Sequence, residues 1–244
     1  VAYESLLLGL FAIWQGDPAA RGNQKRNEIL LGYSRDGFHW HRPDRRPFIG
    51  IDESDEAWNW GNVQSAGGGC LVVGDKLCFY HSGWRDRATG PISTGAALLR
   101  RDGFASMDAD RNGGTLTTRR VRFSGKRLFV NANVQGGELV AEVLDASGRV
   151  IAPFTRANCV PVTADATLAP VTWSGAADLA AVAGKPVRFR FHLESGSLYA
   201  FWVSEDASGA SGGYIAAGGP GFSGPTDTVG AAALDAADAM STKR

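Results

Sequence analysis

The sequence predicts an all-β chain, a partial β-propeller of about two four-stranded blades followed by an antiparallel β-sandwich. Three observations carry that reading. Apolar residues come in short runs or strict alternation between Gly, Asp, Asn and Pro clusters, and helical periodicity is nearly absent. Glycine fills 32 of 244 positions, roughly 13% and nearly twice ordinary usage, so tight turns are frequent. An internal repeat organises the first part of the chain. Tyr3-Glu4-Ser5 precedes an apolar hairpin that ends in Arg35-Asp36-Gly37-Phe38, and Val63-Gln64-Ser65 precedes another that ends in Arg101-Asp102-Gly103-Phe104. The openings lie 60 residues apart and the tetrapeptides 66 apart, a period near that of propeller blades. Two unrelated hairpins that both turn on Asp-Gly, the commonest hairpin dipeptide, are the alternative.

Residues 1–110 therefore read as two blades, the second containing a hairpin from Gly69 to Tyr80 that turns at Gly74-Asp75. Residues 111–204 lose the repeat but keep strand spacing, which predicts the sandwich. Two hairpins are expected there, Glu138 to Ile151 turning at Ala146-Ser147-Gly148, and Lys185 to Trp202 turning at Ser195-Gly196. In the second, Val187, Phe189, Phe191 and Leu193 alternate with Arg188, Arg190 and His192, so one face is buried and His192 lies on the wet one. A helix-like turn runs from Ala176 to Ala183 and closes at Gly184. Residues 205–244, rich in Gly, Ala, Ser and Pro, read as an irregular arm on the sandwich, loosely ordered from Ala231 on.

The 25 Lys and Arg balance 25 Asp and Glu, so no uniform field draws the chain to nucleic acid or an anionic membrane. No apolar run reaches the roughly 18 residues of a spanning helix. The sequence thus predicts neither a nucleic-acid nor a membrane partner. The apolar stretch from Leu6 to Trp14 follows Tyr3 and Glu4 with no basic region ahead of it, which reads as an interior segment and not a secretory signal. Cys70, Cys78 and Cys159 leave at least one thiol unpaired. That argues against a disulfide scaffold, although Cys70 and Cys78 flank a turn and could face each other. No Walker loop, dinucleotide fingerprint or Gly-x-Ser-x-Gly elbow appears, and no cofactor is predicted. His39, His41 and His81 lack partners at metal spacing, and the acidic run Asp52, Glu53, Asp55, Glu56 lacks the glycine and alternating ligands of a calcium loop.

The stretch Gly32-Tyr33-Ser34-Arg35-Asp36-Gly37-Phe38-His39-Trp40-His41-Arg42-Pro43 has a Ser-x-Asp-Gly-x-x-Trp core, followed by Arg45-Arg46-Pro47-Phe48. It resembles the blade strand and turn of five-bladed β-propeller glycosidases of glycoside hydrolase families 32 and 43, and the propeller-to-sandwich order is similar to uncharacterised family-32-like members. It also resembles the Asp-box of sialidases. In either setting Asp36 caps the turn and Trp40 packs between strands. The resemblance implies hydrolysis of a glycosidic bond in an axial funnel, by two carboxyl groups placed across the bond. The family's motifs for its nucleophile and its stabilising aspartate, Trp-Met-Asn-Asp-Pro-Asn and Arg-Asp-Pro, are not found here. The main catalytic carboxylates are accordingly expected in N-terminal blades of the same protein. Export to a polysaccharide-facing location is implied by the resemblance alone.

Within that frame Glu4 stands where an inner strand begins, and Gln64 is its counterpart in the next blade. Beside Tyr3 and the apolar run, Glu4 is a candidate general acid; a solvated strand-edge residue or a substrate contact is the alternative. Trp58, Asn59, Trp60, Asn62 and Gln64 form the richest polar and aromatic cluster. Indole rings stack on sugar faces and amides pair with hydroxyls. The plainer alternative has Trp58 and Trp60 filling the gap between blades. Asn62 and Gln64, alternating on one strand face, are better placed for the funnel than Asn59. Arg85 would rim it, or belong to an ion-paired loop with Asp86 and Arg87. The expected partner is an oligo- or polysaccharide. The functions to separate are a glycosidase-like protein, a non-catalytic carbohydrate-binding or cell-surface protein on the same scaffold, and a sandwich that only braces the propeller.

Overall fold

The structure, a computed structural model, describes residues 1–16, 26–54, 56–65, 67, 69–85 and 91–241. Every registered strand pair is antiparallel, the strands form several open sheets, and one α-helix is present among the described residues. The chain divides into two compact units, Val1–Leu98 with Gly213–Thr226, and Leu99–Gly212 with the residues from Asp227 on.

In the first unit β1 (Ala2–Glu4), β2 (Leu6–Trp14), β3 (Asn27–Ser34) and β4 (Trp40–His41) run as a meander. A second sheet holds β5 (Asn62–Ser65), β6 (Leu71–Val73), β7 (Lys76–Trp84) and β8 (Ile92–Arg100), with β5, β6 and β8 all pairing β7. The turn expected at Gly74-Asp75 is present, with Val73 opposite Lys76. Alternation buries Tyr3, Leu8, Ile29, Val63, Val72, Leu77 and Phe79. Phe48 meets Phe79 edge-on at 5.2 Å. The C-terminal arm is a correction to the sequence reading: Tyr214–Ile215 forms a strand that pairs with β1 in this unit. The arm then reaches the second sheet, where Ala217 N–H donates to the Cys70 carbonyl at 3.0 Å and Val72 N–H donates to Gly218 at 2.8 Å. The edges of β1 and β6 carry unpaired backbone groups, and the arm satisfies them.

The units divide after Leu98, earlier than the Arg111 boundary read from the sequence. Side-chain bonding accounts for the difference. Arg100 donates to Asn131 Oδ1 at 2.7 Å and to the Ala132 carbonyl at 3.1 Å, pairs with Asp165, and lies 4.8 Å over the Tyr199 ring. Arg101 pairs with Asp227 at 2.8 Å.

The second unit contains β9 (Met107–Ala109), β10 (Gly114–Thr117), β11 (Arg127–Asn133), β12 (Glu138–Leu144), β13 (Asp165–Val171), β14 (Arg188–Glu194) and β15 (Gly196–Ser204). These form one sheet in the order β10-β14-β12 and another in the order β13-β11-β15-β9. A single apolar cluster draws on both, including Leu128, Val130, Val143, Val171, Phe189 and Leu198. The hairpin expected from Lys185 to Trp202 is not formed. β14 pairs with β10 and β12, whereas β15 pairs with β11 and β9. Ser195, at φ 48°, carries the chain from one sheet to the other. Apolar rows on both strands explain this, because Phe189 and Phe191 meet Phe201 across the core at 5.9 and 5.1 Å and a flat hairpin could not bring them together.

The turn after β12 is present, with Asp145 N–H donating to Arg149 at 2.8 Å, though the main partner of β12 is β14. The Ala176 to Ala183 segment is a turn, with Val182 N–H donating to Leu179 at 3.0 Å and Gly184 at φ 73°. The loosely ordered end expected from Ala231 is instead a helix, α1 (Ala232–Ser241). Its alanines are the strongest helix formers, and Ala233 is fully buried. All three cysteines are buried, and none of them is in a disulfide. Cys78 faces Leu71, one position out of register with Cys70.

Candidate functional site

The Ser-x-Asp-Gly-x-x-Trp core folds into a turn closed by its own polar groups. Asp36 Oδ1 accepts from the Phe38 and His39 N–H groups at 2.9 and 2.8 Å, Oδ2 meets His39 Nδ1 at 2.7 Å, and Ser34 Oγ accepts from Gly37 at 2.9 Å. Trp40 Nε1–H donates to the Gly37 carbonyl at 3.1 Å, and the ring packs edge-on against Phe11 at 5.4 Å. Backbone and side-chain bonds from His39, with Phe38 and Ser34, hold the Asp36 carboxyl well below its ordinary value of 3.8. A carboxyl lowered in the fold contributes stability above its unfolded pKa and loses that contribution as pH falls toward the folded value. The Asp36 carboxyl is therefore expected to stay ionised in an NMR titration through the range where exposed aspartates protonate; titration near 3.8 would contradict the turn.

Trp58 sets the outer edge of its benzo ring against the second sheet of the same unit. A methyl group on Gly83 would sit 2.8 Å from its ring, and one on Gly95 2.7 Å. Glycine at both positions clears the floor for an indole, a close approach that any side chain would prevent. The imidazole of buried His81 stacks with the indole at 5.7 Å, 29° from parallel. Its Nδ1 has no hydrogen-bond partner among the described residues. Trp58 as a whole remains 38% exposed. A comparable arrangement occurs in the first sheet, where Phe11 fills the space above Gly9 and Gly32, which face each other across β2 and β3.

The other sequence candidates divide between faces. Val63 pairs with Gly83 and so shares the Trp58 face; Asn59 Cβ also borders Gly83. Asn62, opposite Trp84, and Gln64, opposite Ser82, share the other face. Asn62 is fully buried, whereas Gln64 and Trp60 are half-buried. Arg85 is exposed and lies 3.8 Å from Glu56; Asp86, Arg87 and Asp55 fall outside the described residues.

Glu4 and Gln64 are not structural counterparts. Tyr3 pairs with Leu6, so Glu4, the last residue of β1 and paired with Tyr214, enters the tight β1–β2 turn at φ 47° with its carboxylate against Gly213, whereas Gln64 lies inside β5. Pattern matching aligned the two tripeptides, but only a left-handed backbone at Glu4 lets the chain reverse there. Sequence reasoning also passed over Glu28, a buried carboxylate whose Oε1 accepts from Ile51 N–H at 3.1 Å and pairs with Arg26 at 3.3 Å. A charged residue in the apolar run of β3 was the available signal. Among the described residues no three His, Cys, Asp or Glu side chains gather to hold a metal ion, and no helix is long and apolar enough to cross a membrane. The chain matches no protein-family model, no curated protein and no solved structure.

Proposed function

We propose that this chain is a carbohydrate-binding part of a glycosidase-like protein, its first unit supplying two blades of a β-propeller and its second a β-sandwich. The observation that carries the sugar-binding assignment is the Trp58 ring, seated against Gly83 and Gly95 while the residue stays 38% exposed. A pre-positioned indole is an apolar plane that matches the C–H face of a pyranose, and little ordering is needed on binding. Exposed Ile92 and Leu98 of β8 support the propeller reading, since the face of one blade is normally covered by the next. On this reading further blades of the same protein cover that face.

Hydrolysis needs a second carboxyl group about 5 to 10 Å from the first. Glu4, turned toward Gly213, supplies one carboxylate, and the others belong to the further blades. That placement of Glu4 equally favours a non-catalytic binding protein on the same scaffold. The test is to incubate the chain with a panel of plant and microbial polysaccharides, following retention in affinity electrophoresis and release of reducing ends. Retention without release is expected. Release would contradict the assignment of the chemistry to other blades, and absence of retention on every polymer would overturn the reading.

A further inference from the structure

The balanced charge of the whole chain hides a local excess in the second unit. From Arg111 to Gly137 the sequence carries six basic residues, Arg111, Arg119, Arg120, Arg122, Lys126 and Arg127, and no acidic one, although the full chain has 25 of each sign. From Leu179 to Leu193 it adds Lys185, Arg188 and Arg190, again with no Asp or Glu. The fold lays these two stretches side by side. Thr117 pairs with Arg190, and beyond the end of β10 an antiparallel bridge joins Val121 to Val187, which sets Arg120 and Arg122 beside Arg188.

Alternation turns this basic band outward. Val121 and Phe123 pack on the apolar cluster and Val187 and Phe189 are buried in it, so Arg120, Arg122, Arg188 and Arg190 take the opposite face. Arg119, Arg120 and Arg122 are exposed. Their surroundings position the cations without neutralising them. Arg188 donates to the Thr118 carbonyl at 2.9 Å and Arg122 to the Gly184 carbonyl at 3.3 Å, neutral acceptors that leave both charges in place. Among the described residues Glu142 is the carboxylate that pairs within the band, and it is shared by Arg190 and His192. Neither the Arg119 nor the Arg120 guanidinium has a hydrogen bond or ion pair among the described residues. Like charges side by side on paired segments are destabilising, and an anion that bridges them removes that cost.

We propose that this face docks a sulfated polysaccharide. A guanidinium donates two parallel hydrogen bonds to the oxygens of a tetrahedral anion, and a row of guanidinium groups matches the repeated sulfate esters of such a chain. Nucleic acid offers similar anions, but single strands are held by stacking on exposed rings, and neither basic stretch has an exposed aromatic side chain. The face lies in the other unit from Trp58 and does not rest on the function proposed for that ring.

Affinity electrophoresis of the whole chain in gels containing dextran sulfate, carboxymethyl dextran of matched charge density, or plain dextran tests this, at about 50 mM salt, where exposed charges are weakly screened. Dextran sulfate is expected to bind about tenfold tighter or more than either other polymer, with an affinity that falls steadily as salt rises. The triple variant Arg119→Gln/Arg120→Gln/Arg122→Gln is expected to lose that preference and to melt with the parent, because all three side chains are exposed. A control of equal charge change, Arg35→Gln/Arg45→Gln/Arg46→Gln, removes exposed arginines of the first unit and is expected to keep the preference. No preference for dextran sulfate, a preference that survives the first triple, or an equal loss in both triples would overturn the proposal. Tighter binding of double-stranded DNA than of dextran sulfate would overturn its polysaccharide part.

Discussion

Asp227→Asn is expected to cost the second unit about 3–5 kcal/mol, because it removes the buried carboxylate that the Arg101 guanidinium meets in the interior. Both partners are nearly inaccessible, Arg101 at 5% and Asp227 at 1% exposure, and they meet at 2.8 Å. Asp227 Oδ1 also accepts from Val229 and Gly230 N–H at 3.1 and 2.8 Å, bonds that an amide can keep through its oxygen. The loss therefore reports chiefly on the charge pair. Urea denaturation followed by circular dichroism measures it. Removing the cation as well, as in Arg101→Met/Asp227→Asn, is expected to recover much of the loss, since the amide keeps both N–H bonds and no buried charge is left to balance. A change below about 1 kcal/mol for Asp227→Asn, the range of exposed pairs, would contradict the buried geometry.

Phe189→Ala is the second large effect, about 3–5 kcal/mol, the usual range for removing a buried phenylalanine. The side chain is fully buried and contacts three rings, Phe123 at 5.6 Å, Phe201 at 5.9 Å and Phe191 at 6.3 Å. The contact with Phe201 joins the two sheets. A double-mutant cycle on Phe189 and Phe201 is expected to give a coupling of about 0.5–1.5 kcal/mol, as facing aromatic pairs do. Additive losses would place the two rings apart, as in a flat hairpin through Ser195-Gly196.

That hairpin shows where the sequence was legible and where it was not. Alternation in Val187, Phe189, Phe191 and Leu193 identified β14 and its buried face, since period-2 patterning is a local property. Whether the next strand pairs alongside or crosses to an opposing sheet depends on which apolar rows meet, and a two-residue link permits either. The Gly74-Asp75 hairpin was legible because the Gly-Asp link left Val73 and Lys76 adjacent in register. The C-terminal arm misled in the other direction. Its Gly, Ala and Ser content hid an alanine-rich helix and a strand whose partner lies about 210 residues away in the chain, and composition carries no signal of so distant a pairing.

The candidate site was legible in part for the same reason. The Trp58 to Gln64 cluster stood out by residue type, but the face each side chain takes follows from the β5–β7 register, which puts Gly83 opposite Val63 and separates Asn62 and Gln64 from Trp58. The role of Gly83 and Gly95, which leave room for the Trp58 ring, has no signal in the sequence. The Arg-Asp-Gly-Phe repeat was real as a string, yet its copies differ in use. Asp36 caps an exposed turn, while Arg101 is bound to Asp227 in the interior.

The most direct test of sugar stacking on Trp58 is a calorimetric comparison of the parent chain with Trp58→Ala, using an oligosaccharide of whichever polymer the chain retains best. Loss of one stacking ring is expected to weaken binding by roughly tenfold or more, in line with contacts of about 1–3 kcal/mol, while the second unit keeps its unfolding transition. Affinity unchanged in Trp58→Ala, with the fold intact, would contradict the assignment of the sugar platform to Trp58.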